Sequence, residues 1–157
     1  MGLSETRRAQ LIGKASPVLV EGEEVVDVTV GIAEVKRNGQ SRRRRATILV
    51  TDRRVVLFSK RLGRYDVQEY AFGRLAGVDH HLGPITGQLN LRASGGSADI
   101  WQVYKKDVGR VAQAIRDRMA SVRQGSVADE IDKFARLRNE GVITEEELAA
   151  QKARLLS

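Results

Sequence analysis

The chain has 157 residues, 41% of them hydrophobic, which is enough to bury a core, and its length favours one main domain with a small appendage. It has no cysteine, so disulfides, thiolate chemistry and the strongest zinc-ligand patterns are excluded. The net charge of +7 is uneven, because residues 127–157 hold five bases and seven acids (−2), which leaves +9 for the rest and favours anionic partners.

The apolar runs are much shorter than the roughly 20 residues that a membrane-spanning helix needs. No stretch has the charged start, apolar middle and small-residue end of a signal peptide. We therefore expect a cytoplasmic protein, able to attach peripherally to the inner face of the membrane through its basic body.

The body follows an N-terminal segment, 1–20, which can include a short helix, and consists of short predicted strands. Apolar and polar residues alternate from Val26 to Ile32, which predicts a half-buried strand. Asn38-Gly39 is the strongest short signal for a β-hairpin, and Thr51-Asp52 marks a second tight turn. About seven strands between Glu24 and Tyr104 predict a small antiparallel barrel or sandwich.

From Lys105 to Val122 the apolar residues fall at helical spacing, which predicts an amphipathic helix. Seven strands and then one such helix resemble the pleckstrin-homology (PH) fold. The stretches "EGEEVV", "ILVTDRRVVLFS" and "YAFGRLAGVD" are similar to its bacterial branch, the YokE-like type, over residues 21–122. The resemblance implies an α+β fold, namely a PH-like seven-stranded antiparallel half-barrel capped by a C-terminal helix, with a two-helix hairpin as its tail.

Four consecutive arginines precede the apolar run of the second strand. Arg42 and Arg44 share one face of that strand, and Arg43 and Arg45 share the other. Because a buried unpaired charge is costly, we expect this hairpin to project beyond the barrel wall. The loop between strands three and four lies on the same rim and is also basic. The predicted anion- or partner-binding residues of this basic rim are Lys36, Arg37, Arg42, Arg43, Arg44, Arg45, Lys60, Arg61 and Arg64.

The PH resemblance implies a headgroup site built from a lysine on strand one and an Arg-x-Arg pair on strand two, with Lys36, Arg43 and Arg45 as the nearest matches. Their spacing is shorter than in the family, and Thr47 replaces an apolar residue. Six basic residues near an anionic bilayer supply about 6 kcal/mol at low salt. The alternatives are a protein contact, a solvated hairpin that protects the sheet, or nucleic acid, which the 4% aromatic content disfavours.

The tail is predicted to be a linker, 123–127, followed by a helical hairpin, 128–157, with a capping box formed by Thr144 and Glu147. "GVITEEEL" and "KARLL" resemble the SHOCT module of bacterial and phage proteins, to which no enzymatic activity attaches. A hairpin of about 30 residues is below the size at which isolated domains are viable. We therefore predict self-association or partner docking, with a lid on its own barrel as the alternative, through Ile131, Phe134, Leu137, Leu148 and Leu155.

Nothing in the sequence has the pattern of a catalytic or metal site. His80 and His81 are adjacent, so on a strand they face opposite ways and cannot chelate one metal together. There is no Ser-His-Asp order, no glycine-rich phosphate loop and no evident carboxylate pair. We predict a non-catalytic binding or scaffolding protein without cofactor or metal; the alternatives are a nucleic-acid-associated basic protein or a purely structural, self-assembling protein with no ligand.

Overall fold

The fold is known from a computed structural model, which describes residues 2–157. The strands form one antiparallel sheet in the order β4-β3-β2-β1-β7-β6-β5. This arrangement, followed by a long helix, confirms the predicted fold class. The elements are α1 (Glu5–Ala15), β1 (Val25–Arg37), β2 (Gln40–Thr51), β3 (Arg54–Arg61), β4 (Arg64–Ala71), β5 (Leu75–Leu82), β6 (Thr86–Ala93), β7 (Gly96–Tyr104), α2 (Lys105–Asn139) and α3 (Glu145–Leu156).

The inner face of the sheet, which packs against α2, holds the larger core. All seven strands contribute buried side chains to it. Buried apolar residues recur every three or four positions along α2, as the sequence predicts, so that one side of the helix is apolar. Its buried members are Val108, Val111, Ala112, Ile115 and Met119.

The outer face of the sheet is covered by α1. Leu11 and Ala15 of this helix are buried in a second apolar cluster with residues of β1, β2 and β3. The segment before α1 is also held, because the Leu3 N–H donates to the Asp107 carboxylate at 3.1 Å. Residues 2–15 are therefore a docked part of the domain.

The prediction that β1 is half-buried, with apolar residues on one face and polar residues in solvent, is wrong for part of the strand. Asp27, Val28 and Thr29 are all buried, because α1 covers one face of β1 while α2 lies against the other. The Thr29 hydroxyl donates to the Asp107 carboxylate at 3.2 Å. At Gly31 an added Cβ would lie 2.7 Å from Ile100 Cγ2, so this position has room only for glycine.

The turn between β2 and β3 is organised by an ion pair at the end of the sheet away from the basic rim. The Thr51 hydroxyl accepts from the Arg54 N–H at 3.0 Å, which fixes the predicted Thr51-Asp52 turn. Both oxygens of the buried Glu23 carboxylate accept from the Arg54 guanidinium, at 2.8 and 2.9 Å. These hydrogen bonds lower the pKa of Glu23 to about 2. The stretch from Thr51 to Arg54 therefore has a structural role.

The tail differs from the prediction in one respect. Residues 123–127, expected to form a linker, lie inside α2, which is continuous from Lys105 to Asn139. The single Gly125 costs about 1 kcal/mol relative to alanine, too little to break a helix that continues on both sides. By its internal contacts the chain still divides into two compact units, with the division between Met119 and Ala120.

The second unit contains the predicted turn and the predicted second helix. The chain leaves α2 at Gly141, which has a φ of +76°, and the Val142 N–H donates to the Leu137 carbonyl at 2.9 Å. The capping box of Thr144 and Glu147 is present at the start of α3. Of the predicted interaction residues, Leu148 is only 2% exposed, whereas the other four are half-buried, namely Ile131, Phe134, Leu137 and Leu155.

Candidate anion-binding site

The basic rim lies at two tight turns that share one end of the sheet. Asn38 and Gly39 join β1 to β2 with positive φ angles of 51° and 74°, as an Asn-Gly hairpin requires. Leu62 and Gly63 join β3 to β4 in the same way, with φ angles of 48° and 77°. The β6–β7 turn lies beside them, because a Cβ on Gly96 would be 2.7 Å from the carbonyl oxygen of Lys36. Three turns thus form one end of the sheet.

The predicted rim residues are exposed, as the charge on both faces of β2 requires. Arg44 is the exception and is half-buried. Its guanidinium forms an ion pair with Asp66 of β4. The eight exposed members are Lys36, Arg37, Arg42, Arg43, Arg45, Lys60, Arg61 and Arg64.

The residues that best match the lipid-binding motif do not converge on one cavity. Lys36 donates to the Asp99 carboxylate at 3.0 Å, which raises the pKa of Lys36. Burial raises the pKa of Asp99, but hydrogen bonds from Asn90 and Lys36 outweigh it and keep this pKa below its usual value. Arg43 stacks on Trp101, with its Cζ 4.5 Å from the ring centroid. Two of the three motif residues therefore have partners within the chain.

A different set of rim arginines surrounds a cavity of ≈ 320 Å³ on the inner face, which we call the inner cavity. Arg37, Arg42 and Arg44 line it together with the polar side chains of the β1–β2 turn. Its single acid is Asp66, the partner of Arg44. Its lining residues are Ala33, Val35, Arg37, Asn38, Gln40, Arg42, Arg44, Ala46, Leu57, Phe58, Ser59, Asp66 and Gln68.

A second depression of ≈ 750 Å³, the outer groove, lies on the opposite face of the same strands. Arg45 of β2 and Lys60 of β3 line it, as predicted rim residues. Arg7 and Lys14 of α1, which were not among the predicted site residues, line it too. Their spacing around the buried Leu11, at i, i+4 and i+7, is the pattern that places residues on one side of a helix.

Among residues 2–157, only Lys36 and Arg44 of the rim have a carboxylate oxygen within 4.0 Å. The rest of the rim is therefore not neutralised within this part of the chain. Positive charge in this amount at one end of a sheet attracts anions and repels other cations.

The two histidines have separate surroundings. The ring of His80 lies 3.3 Å from the Arg116 guanidinium of α2, whereas His81 is exposed. Within residues 2–157, no three side chains of His, Cys, Asp or Glu are placed to hold a metal ion. No helix in the same range has the length and apolar character to cross a membrane.

The family described as "Bacterial PH domain" matches residues 19–117, which is more than half of the chain and extends from the start of the sheet into α2. This chain belongs to the bacterial PH domain family. Membership indicates a binding or scaffolding module, and it names neither a lipid nor a partner. The narrower YokE-like and SHOCT resemblances stay predictions.

Several solved structures are similar to this chain, and one of them, the Vps36 N-terminal PH domain, supports the fold. The Vps36 N-terminal PH domain is similar with a TM-score of 0.50 at 17% identity, over 66% of this chain and 84% of that one. The PH domain of USP37 has a TM-score of 0.48 at 14% identity, over 60% and 97% of the two chains. A DUF1696 family protein with a PH domain, from Shewanella loihica PV-4, gives 0.46 at 16% identity, over 71% and 95%. No curated protein matches the chain.

Proposed function

We propose that this bacterial PH domain is a non-catalytic module that attaches to anionic membrane surfaces through its basic rim. One observation carries the proposal: the two hairpin tips present cations that have no carboxylate partner within 4.0 Å in residues 2–157. These cations are Arg37, Arg42, Arg61 and Arg64.

Four such residues at about 1 kcal/mol each supply about 4 kcal/mol, or roughly a thousandfold in affinity, at low salt. Leu62 lies between Arg61 and Arg64 in the chain and is 94% exposed at the tip of its turn. An apolar tip flanked by arginines suits a bilayer interface, where burying one leucine adds about 1.5–3 kcal/mol. This tip favours a membrane surface over nucleic acid as the partner.

The inner cavity supports a headgroup site at the same rim. A volume of ≈ 320 Å³ is at the lower end of small-ligand sites, which span roughly 300–1,000 Å³. Arg37 and Arg42 have guanidinium donors for phosphate or carboxylate oxygens, and Arg44 is held in place by Asp66. We propose that one anionic headgroup occupies this cavity while the tips contact the surrounding bilayer.

Co-sedimentation with vesicles tests the proposal. The full chain is expected to bind vesicles that contain phosphatidylglycerol and to leave phosphatidylcholine vesicles unbound, with affinity that falls as salt rises. Duplex DNA at the same ionic strength is the competing anion. Equal binding to neutral and anionic vesicles, or tighter binding to DNA, would contradict the proposal.

For the tail we propose self-association or docking on a protein partner. Val142 and Leu156 of this unit are 65% and 70% exposed, which gives it apolar surface beyond the half-buried stripe. The chain ended at Gly125 is to be compared with the full chain by its mass in solution. Dissociation of an oligomer on truncation supports self-association, whereas a monomer that only loses stability indicates a lid on its own barrel.

A further inference from the structure

The outer groove has the composition of a binding site rather than of ordinary solvated surface. Its four basic residues come from three separate elements. Within residues 2–157, no acidic side chain lines the groove. Between the basic residues lies an apolar floor that includes Leu11 and Phe58, both 5% exposed. The lining residues are Arg7, Leu11, Gly13, Lys14, Pro17, Val30, Arg45, Ala46, Thr47, Phe58, Ser59, Lys60 and Tyr65.

The groove begins where the outer apolar cluster ends. Val30, Thr47 and Phe58 are cross-strand neighbours and form one row across β1, β2 and β3. The β2–β3 ladder stops at Thr47 and Phe58, and its continuation would bring Arg45 opposite Lys60. Like charges in that position destabilise a strand pair. A bound anion between them would remove this repulsion.

The wall formed by α1 is fixed, so the groove is present before any ligand arrives. Arg8 of α1 pairs with the buried Asp27 carboxylate at 2.9 Å, and Leu3 is hydrogen-bonded to Asp107. Buried Leu11 and Ala15 anchor the helix to the sheet. A preformed groove binds without a large ordering cost.

We infer that the outer groove binds one single-chain anionic amphiphile, with its phosphate or carboxylate on Arg45 and Lys60 and its alkyl chain on the floor. The volume of ≈ 750 Å³ suits one molecule of this kind. The apolar floor beside the four basic residues suits an alkyl chain that is attached to an anionic head. This site is separate from the inner cavity and does not depend on the proposed membrane attachment.

Calorimetric titration of the full chain with inorganic phosphate, butyl phosphate and octyl phosphate tests this inference, with octyl phosphate kept below its critical micelle concentration. Affinity should rise along the series, by up to about fourfold for each methylene buried. Octyl glucoside, with the same chain and a neutral head, should bind at least tenfold more weakly than octyl phosphate. Equal affinity for inorganic and octyl phosphate would overturn the inference, as would equal affinity for the glucoside.

Two exposed arginines give a matched pair of variants. Arg45→Glu should lower the affinity for octyl phosphate at least tenfold, whereas Arg53→Glu, at the β2–β3 turn and outside both cavities, should change it less than threefold. Lys14→Glu, at an exposed position of α1, is the second test if Arg45→Glu does not fold. Equal losses in the Arg45 and Arg53 variants would show diffuse charge attraction and overturn the inference. The inference would also be overturned if the full chain did not bind octyl phosphate but its binding to vesicles depended on Arg45.

Discussion

The buried ion pair between Glu23 and Arg54 yields a prediction with a defined magnitude and pH window. A fall in the pKa of Glu23 from 4.5 to about 2 corresponds to about 3 kcal/mol of stability from the charged form. Glu23→Gln removes the negative charge from the ion pair with Arg54. Because the side chain at this position is fully buried, water cannot compensate for the lost ion pair. We expect a loss of about 2–3 kcal/mol at pH 7, which lowers Tm by about 5–10 °C.

The pH dependence follows from the direction of the shift. Because the folded-state pKa is depressed, the stabilisation is complete above about pH 4.5 and is lost as the pH falls towards about 2. The difference between wild type and Glu23→Gln should therefore shrink from pH 5 to pH 2.5. Urea unfolding, followed by the fluorescence of Trp101, the single tryptophan, measures it. Glu21→Gln, at an exposed position, is the control. A difference below 0.5 kcal/mol at pH 7, or one that does not change with pH, would refute the reasoning.

Three glycine substitutions test the local geometry by the same unfolding assay. Gly31→Ala should destabilise the domain by about 1–3 kcal/mol, since its Cβ would meet Ile100 at 2.7 Å; an unchanged stability would show that β1 and β7 can separate. Gly125→Ala should stabilise the chain by up to about 1 kcal/mol, since the residue is in mid-helix with nothing within 4 Å; a loss would indicate a break in α2. Gly141→Ala should destabilise by about 1 kcal/mol because φ is +76°, and a gain there would contradict the observed turn.

The strands and the exposure of the rim were predictable because their signals are local. Asn38-Gly39 specifies its own turn, and arginines on both faces of β2 exclude burial whatever the rest of the chain does. The partners of the rim residues have no such signal. Arg44 pairs with Asp66 and Lys36 with Asp99, contacts between residues far apart in the chain that only the assembled sheet brings together.

The burial of both faces of β1 and the continuity of α2 could not be predicted from local sequence either. Val28 and Val30 of β1 lie in the outer cluster that α1 covers. The sequence of α1 gives little sign of this contact, since only Leu11 and Ala15 of that helix are buried. In α2, a glycine in a polar stretch is typical of a linker, but Gly125 continues the helix. One weak helix former is tolerated when the helix is already nucleated on both sides.

The most direct test of membrane attachment compares two charge reversals in the vesicle assay. Arg42→Glu alters the exposed tip of β2, and Arg53→Glu makes the same change in net charge at the β2–β3 turn, the other end of the sheet. We predict that Arg42→Glu weakens binding to phosphatidylglycerol vesicles by about 2 kcal/mol, roughly 30-fold, at low salt, while Arg53→Glu changes it less than threefold. Equal losses in the two variants would mean that net charge alone drives attachment, and unchanged binding in Arg42→Glu would contradict the proposed role of the basic rim.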